Sequence, residues 1–275
     1  MHESNNENKI KSNQQELLYL LKVFHNLCEK HNIKYTLDAG TLIGAVRHKG
    51  FIPWDDDCDV TLVRTEYEKL MQVLKNEKLP DGIGAYIPSE QEEFFDFNVR
   101  LYNKNVVIRD DKDSLNQYGG FYSHPLLDIF VMDYIPKKYF RRRMYVLYQQ
   151  IIFGLAMSKR NAIKLRKYKF VEKIGVSILS KIGKLFSIKE LCDLHDKFSK
   201  MYFEKGEEYL YCTGWSPEFP GYVYKYSSYE NVHKTKFEDS EFYIIDDYDE
   251  VLTIGYGDWK KPIKTHDHET FIKNL

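Results

Sequence analysis

Leu17, Leu18, Leu21, Phe24 and Cys28 recur at helical spacing after a polar start, MHESNNENKIKSNQQ, so the first element is predicted to be a helix with one buried face. Ser12 and Gln15 read as its capping box. The period then changes: Ile33, Tyr35 and Leu37 alternate with polar residues as a strand does, and a Gly40-Thr41 corner leads into a short apolar helix from Leu42 to Val46. Alternation returns from Asp57 to Leu62, and Thr65 with Glu68 reads as a second capping box, opening a helix that buries Tyr67, Leu70, Met71 and Leu74. Phe95 to Tyr102 and Val106 to Ile108 read as a hairpin, and Leu126 to Tyr134 as a buried strand. From about Lys137 to Lys205 the chain becomes basic and helix-compatible. Beyond Tyr209 it is rich in aromatics, with a strand at Phe242 to Ile245 and a compact finish at Tyr256-Gly257-Asp258-Trp259. The expected class is mixed α/β (α+β), with a core at 1–136, a helical subdomain at 137–205 and a C-terminal segment at 206–275 that completes the site.

Bulk properties narrow the function classes. At 275 residues a sizeable core is attainable in one or two domains. A formal net charge of −1 supplies no argument for nucleic-acid binding, so any charge argument must be local. Cys28, Cys58, Cys192 and Cys212 are widely spaced, with no C-x-x-C pair, as in a reducing compartment. No stretch reaches the roughly 20 apolar residues of a membrane span, and the polar start lacks the apolar stretch of a secretory signal. The expectation is a cytoplasmic protein, soluble or at most peripheral to the inner face of the membrane.

Candidate chemistry concentrates at Asp55, Asp56, Asp57 and Asp59, directly after the apolar stretch Phe51-Ile52-Pro53-Trp54. Like charge at that density beside apolar residues points to a cation that relieves it, a solvated loop or a helix N-terminus being the other reading. If 57–62 is extended, Asp57 and Asp59 share one face while Cys58 and Val60 turn to the core. Two carboxylates on one strand suit a hard divalent cation such as Mg²⁺. Asp128, a lone acid within Leu126-Leu127-Asp128-Ile129-Phe130, would supply a third ligand from a neighbouring strand; a core carboxylate paired with an arginine is the other reading. Asp133 has the opposite strand parity and is expected to be structural.

The run from Leu37 to Val60, LDAGTLIGAVRHKGFIPWDDDCDV, closely resembles the signature of the LicD family. Leu127-Asp128-Ile129-Phe130 with Asp133-Tyr134 agrees with that resemblance, as does Tyr256-Gly257-Asp258-Trp259 with Pro262 and the histidines after it. The family includes bacterial phosphocholine transferases, is related to fukutin-type proteins, and belongs to the nucleotidyltransferase superfamily. The resemblance implies a nucleotidyltransferase-like mixed sheet in which Gly40 and Thr41 approach the phosphates of a nucleotide-activated donor. It also implies that Asp57, Asp59 and Asp128 hold Mg²⁺ (or Mn²⁺), with Asp128 helping to deprotonate an attacking hydroxyl. Two departures are mild: Ala39 stands where a second glycine is usual, and Cys58 where an aliphatic residue is usual.

Arg47, His48, Lys49 and Arg100 are candidates for a pyrophosphate, each with a solvated or structural cation as the alternative. Trp54 either stacks on a base or choline-like cation or simply packs. Asp258, with His266 and His268 nearby, matches a family block without a zinc-like spacing. Lys137, Lys138 and Arg141 to Arg143 open a segment fitted either to an anionic membrane surface or to a helix on the core with a solvated basic end.

The resemblance implies transfer of a phospho-alcohol, with phosphocholine the leading case, from a CDP-alcohol such as CDP-choline to a hydroxyl of a cell-surface glycan, such as lipopolysaccharide or teichoic acid, or its lipid-linked precursor. Two other readings stay open: transfer of a nucleoside monophosphate from an NTP to a small acceptor, and a non-catalytic glycan- or nucleotide-binding protein.

Overall fold

The computed structural model describes residues 2–109, 118–160, 170–203, 205–206, 208–214 and 222–262. The helices among them are α1 (His2–His31), α2 (Ala39–Arg47), α3 (Arg64–Asn76), α4 (Tyr139–Ala156), α5 (Phe170–Gly183), α6 (Ile188–Ser199) and α7 (Tyr248–Tyr256). The strands are β1 (Thr36–Leu37), β2 (Asp59–Val63), β3 (Ile83–Tyr86), β4 (Val99–Asn103), β5 (Leu126–Ile135), β6 (Tyr209–Cys212), β7 (Tyr224–Lys225), β8 (Val232–Phe237) and β9 (Ser240–Ile245). The class is mixed α/β, as the patterning predicts.

Strand β5 is the spine. Its apolar run is long because it is covered on both faces. Residues 128–132 pair in parallel with β2, while 126–129 pair antiparallel with β4 and 132–135 antiparallel with β6. The sheet order is β1-β2-β5-β4-β3, with β6 beside β5 and β7 beyond β6. The one acid fully buried in this strand, Asp133, is matched by Arg64, whose Nε and Nη2 donate to its two oxygens at 2.6 and 2.7 Å. Asp133 is thus the structural acid that its strand parity predicts.

Helix α1 buries Leu17, Leu20, Leu21, Phe24 and Cys28 in the main core. The β8–β9 hairpin closes over the same core. At its turn, Glu238 (φ 54°) donates its N–H to the Lys49 carbonyl at 2.7 Å and accepts from the Phe51 N–H at 2.9 Å. Gly50 permits this, since a Cβ there would lie 2.1 Å from the Glu238 carboxylate. The basic region forms three described helices. Helix α4 buries Tyr145, Val146, Gln149, Ile152 and Leu155, and a second apolar cluster joins Ile152 and Leu155 to Phe94, Phe97 and Leu191. No helix among the described residues is long and apolar enough to cross a membrane.

Local expectations and structure differ at five places. Helix α1 runs through Ser12 and Gln15, because nothing there breaks it. Helix α3 starts at Arg64 with no side-chain cap, since its N-cap residue is Val63, which has no polar side chain, and Glu68 pairs with Arg64 at 3.2 Å. Helix α2 is longer than expected and already contains Gly40 and Thr41. The partner of β4 is β3, a strand that two glycines hide from the pattern, and Val106 to Ile108 forms no strand: the N–H groups of Ile108 and Arg109 both reach the Ser123 carbonyl. Strand β2 begins at Asp59, so Asp57 belongs to the preceding loop and the two acids do not alternate along one strand.

Candidate active site

Asp38 follows strand β1 and caps α2, accepting from the Ala39 N–H at 2.8 Å and also from the Thr61 hydroxyl on β2. The turn is so tight that Ala39 sits in the left-handed region at φ 47°, at the position where glycine is usual in the resembled signature. Gly40 follows because a Cβ there would lie 2.5 Å from Asp55 Oδ2. The Thr41 hydroxyl is buried and accepts from the Asp59 N–H at 2.9 Å. The Gly40-Thr41 turn therefore sets the start of β2 and touches the acidic loop directly.

The acidic loop is held from α1, by residues that look like a solvated helix end in the sequence. Asn13 donates to the Asp56 carbonyl at 2.8 Å, and Gln14 donates to the carbonyls of Ile52 and Asp55 at 3.0 and 2.8 Å. Asp55, Asp56 and Asp57 consequently bring carboxylate oxygens within 4.8 Å of one another.

Pairing supplies the remaining acid. In the parallel register of β2 and β5, Asp59 stands opposite Asp128, which stands opposite Arg100 on β4; Arg100 stands opposite Tyr86 on β3. One row across four strands therefore reads Asp59, Asp128, Arg100, Tyr86. Asp59 is buried, and its carboxyl is pushed well above the usual range by desolvation and then by Asp57, Asp128, Asp38 and Asp55. Asp128 is pushed up to about 6 by burial, against the pull of Arg100, whose Nε lies 2.5 Å from it. Arg100 is itself buried and forks onto Asp96 at 2.7 and 2.6 Å, an acid that no pattern in the sequence singles out. Of the two readings of Asp128, the structure thus realises the arginine pair without removing the carboxylate from the cluster.

The donor set of Asp57, Asp59 and Asp128 is entirely carboxylate oxygen, which in chemistry suits a magnesium-type ion, while the acids whose oxygens lie within 4.8 Å of one another are Asp55, Asp56 and Asp57. The other sequence candidates are placed around them with different degrees of contact. Arg47 Nη1 donates to the Trp259 carbonyl at 2.8 Å, joining the first signature block to the last. His48 closes α2 with its N–H on the Gly44 carbonyl at 2.8 Å, and Lys49 sits at φ 60° in the turn gripped by Glu238. Trp54 is half-buried against the main core. Asp258 faces solvent and pairs with Lys261 at 3.4 Å. Its neighbour Tyr256 is the residue of that block that senses the cluster: burial, then Asp38, Asp59 and Asp57, hold its phenol well above the usual range. His266 and His268 lie outside the described residues.

Residues 32–110 match the family model described as LicD/FKTN/FKRP, nucleotidyltransferase domain. A lipopolysaccharide cholinephosphotransferase LicD of Haemophilus influenzae is 31% identical over 260 residues, 89% of this chain and 88% of that protein. Shorter matches of 58 residues, 21% of this chain, reach 48% identity with an uncharacterized protein of Rickettsia prowazekii and 47% with one of Rickettsia typhi, covering 22% and 19% of those proteins. With its signature turn, its acidic row and a relative matched along most of both chains, this protein belongs to the LicD family.

Proposed function

We propose that this protein transfers phosphocholine from CDP-choline, or a closely related CDP-alcohol, to a hydroxyl of a glycan of the lipopolysaccharide type or its lipid-linked precursor. The observation that carries the reading is the register Asp59 opposite Asp128, with Asp57 at the loop end beside them and the Gly40-Thr41 turn alongside. The Haemophilus relative's activity supports the group transferred and the acceptor class.

In this mechanism Asp57, Asp59 and Asp128 would hold Mg²⁺ or Mn²⁺, which when bound supplies positive charge at the donor's phosphate oxygens. The chain's own residues do the rest. Asp128 would take the acceptor hydroxyl proton; burial raises its carboxyl to about 6 in the metal-free chain, and a bound cation would lower it from there. The acceptor oxygen bonds to the choline-bearing phosphorus as its bond to the CMP oxygen breaks, and CMP leaves with the bonding pair. Arg100 orients Asp128 and holds its ionised form through their 2.5 Å contact. Gly40 and Thr41 keep the acidic loop and the start of β2 at a fixed spacing.

The test is a coupled product assay on the purified full chain with CDP-choline, lipopolysaccharide and Mg²⁺. One CMP released per phosphocholine incorporated is the expected result, abolished by EDTA. Pyrophosphate release from an NTP instead would move the assignment to nucleotidyl transfer. Saturable binding of donor and glycan without any release would make the protein a binding module.

A further inference from the structure

Helices α4 and α5 pack closely on each other: Cβ atoms added at Gly154 and Gly183 would lie 2.6 Å from Leu179 and 2.0 Å from the Leu155 carbonyl. Away from that seam both helices leave apolar side chains in solvent at helical spacing. On α4 these are Phe140, Leu147 and Ile151; on α5 they are Ile174, Ile178 and Ile182, and Leu185 follows directly. Phe140 is 74% exposed and Leu185 82%, high values for large apolar side chains that repeat along both helices.

The described charges on these two helices and their flanks have one sign, with Glu208 meeting Lys137 at 3.8 Å from outside them. Among the described side chains of 137–160 and 173–187 there are ten lysines and arginines and no aspartate or glutamate, in a chain of formal net charge −1. Lys137, Lys138, Arg141, Arg143, Lys181 and Lys184 are exposed along it. Lysine and arginine stems cover apolar surface while their heads reach outward to anions. A second copy of the chain would bring these six exposed cations against six, so self-association is disfavoured by charge.

We propose that the outer face of α4 and α5 is a docking surface for an anionic lipid bilayer, with Phe140, Ile178 and Leu185 entering the interface and the flanking lysines and arginines meeting lipid phosphates. This inference stands apart from the transfer reaction, because neither helix contributes any of the acids of the site. It would bring that site to a membrane-borne substrate, so the two readings fail separately.

The experiment is flotation of the full chain with vesicles of phosphatidylcholine alone and of phosphatidylcholine carrying roughly 30% phosphatidylglycerol, the anionic headgroup being the electrostatic probe. Binding to the anionic vesicles only, weakened by about 0.5 M NaCl, is expected. The triple variant K138E/R141E/R143E should lose binding by about a hundredfold, at about fivefold for each cation removed. Phe140→Ser with Leu185→Ser should lose about tenfold or more, while Lys78→Glu, remote and 86% exposed, should change nothing. All these positions are exposed, and circular dichroism melting verifies the fold. Three results overturn the proposal: no binding to anionic vesicles, binding untouched by the Phe140 and Leu185 changes, which indicates a general polyanion site, or self-association that those two changes abolish.

Discussion

Lowering the pH should weaken this protein at the joint between its helical region and its sheet. His195 on α6 lies flat on Phe97, with ring centroids 3.8 Å apart at 8°, and its Nε2 donates to the Thr213 carbonyl at 2.9 Å. Desolvation pushes its pKa down from the ordinary 6.5 to about 4. Between those values the unfolded chain binds a proton that the folded chain refuses, so stability is full above about 6.5 and falls as the pH drops, with the loss complete below about 4. A shift of that size is worth about 3 kcal/mol. His195→Gln keeps a side-chain N–H for the Thr213 carbonyl and removes both the titration and the ring stack. It should cost about 1 kcal/mol at pH 7 for the lost stacking. By about pH 4.5 it should be the more stable protein by about 1 kcal/mol, the two stability curves crossing near pH 5.5. Urea denaturation of both proteins across this range, in one buffer system, measures the difference while cancelling every other titrating group. Parallel curves, with the variant equally handicapped at each pH, would show that His195 is not held neutral by burial.

Asp59→Asn removes one member of a cluster that repels itself, so the metal-free protein should melt higher than wild type in EDTA while phosphocholine transfer disappears; a lower melting temperature, or wild-type turnover, sinks the assignment of Asp59 as a ligand. Ala39→Gly relieves a left-handed backbone at φ 47° and should stabilise by about 0.5–1 kcal/mol after the extra chain entropy of glycine, read from urea midpoints, with transfer activity retained. Asp133→Asn removes the buried partner of the Arg64 guanidinium, which is 2% exposed and keeps only Glu68 and Asp196 on its Nη1, and should cost about 3 kcal/mol, whereas the double change Arg64→Met with Asp133→Leu should recover much of that loss in the same assay.

The acidic row also explains why Arg100, a pyrophosphate candidate by composition, sits where it does. Its guanidinium is enclosed by Asp96 and Asp128 and lies over the Phe95 ring at 4.9 Å, so its contact with the site runs through Asp128. Arg47, by contrast, ties the first signature block to the last through the Trp259 carbonyl.

Local chemistry along the chain was enough to mark the mixed α/β class, the helix bearing Leu17 to Cys28, the buried strand around Asp128, the structural role of Asp133 and the density of carboxylate at Asp55 to Asp59, because periodicity and side-chain polarity report burial over a few residues. Which residues meet was decided by tertiary structure. The pairing that sets Asp59 opposite Asp128, the fork of Arg64 onto Asp133 across 69 residues, and the hold of Gln14 on the Asp55 carbonyl across 41 depend on strand register and on α1 crossing the loop, and neither leaves a periodic trace. One helix end was misplaced for a related reason: Glu68 has the spacing of a capping residue, but the helix starts behind Val63, which has no side-chain acceptor, and Glu68 meets Lys200 at 2.7 Å from a distant helix end.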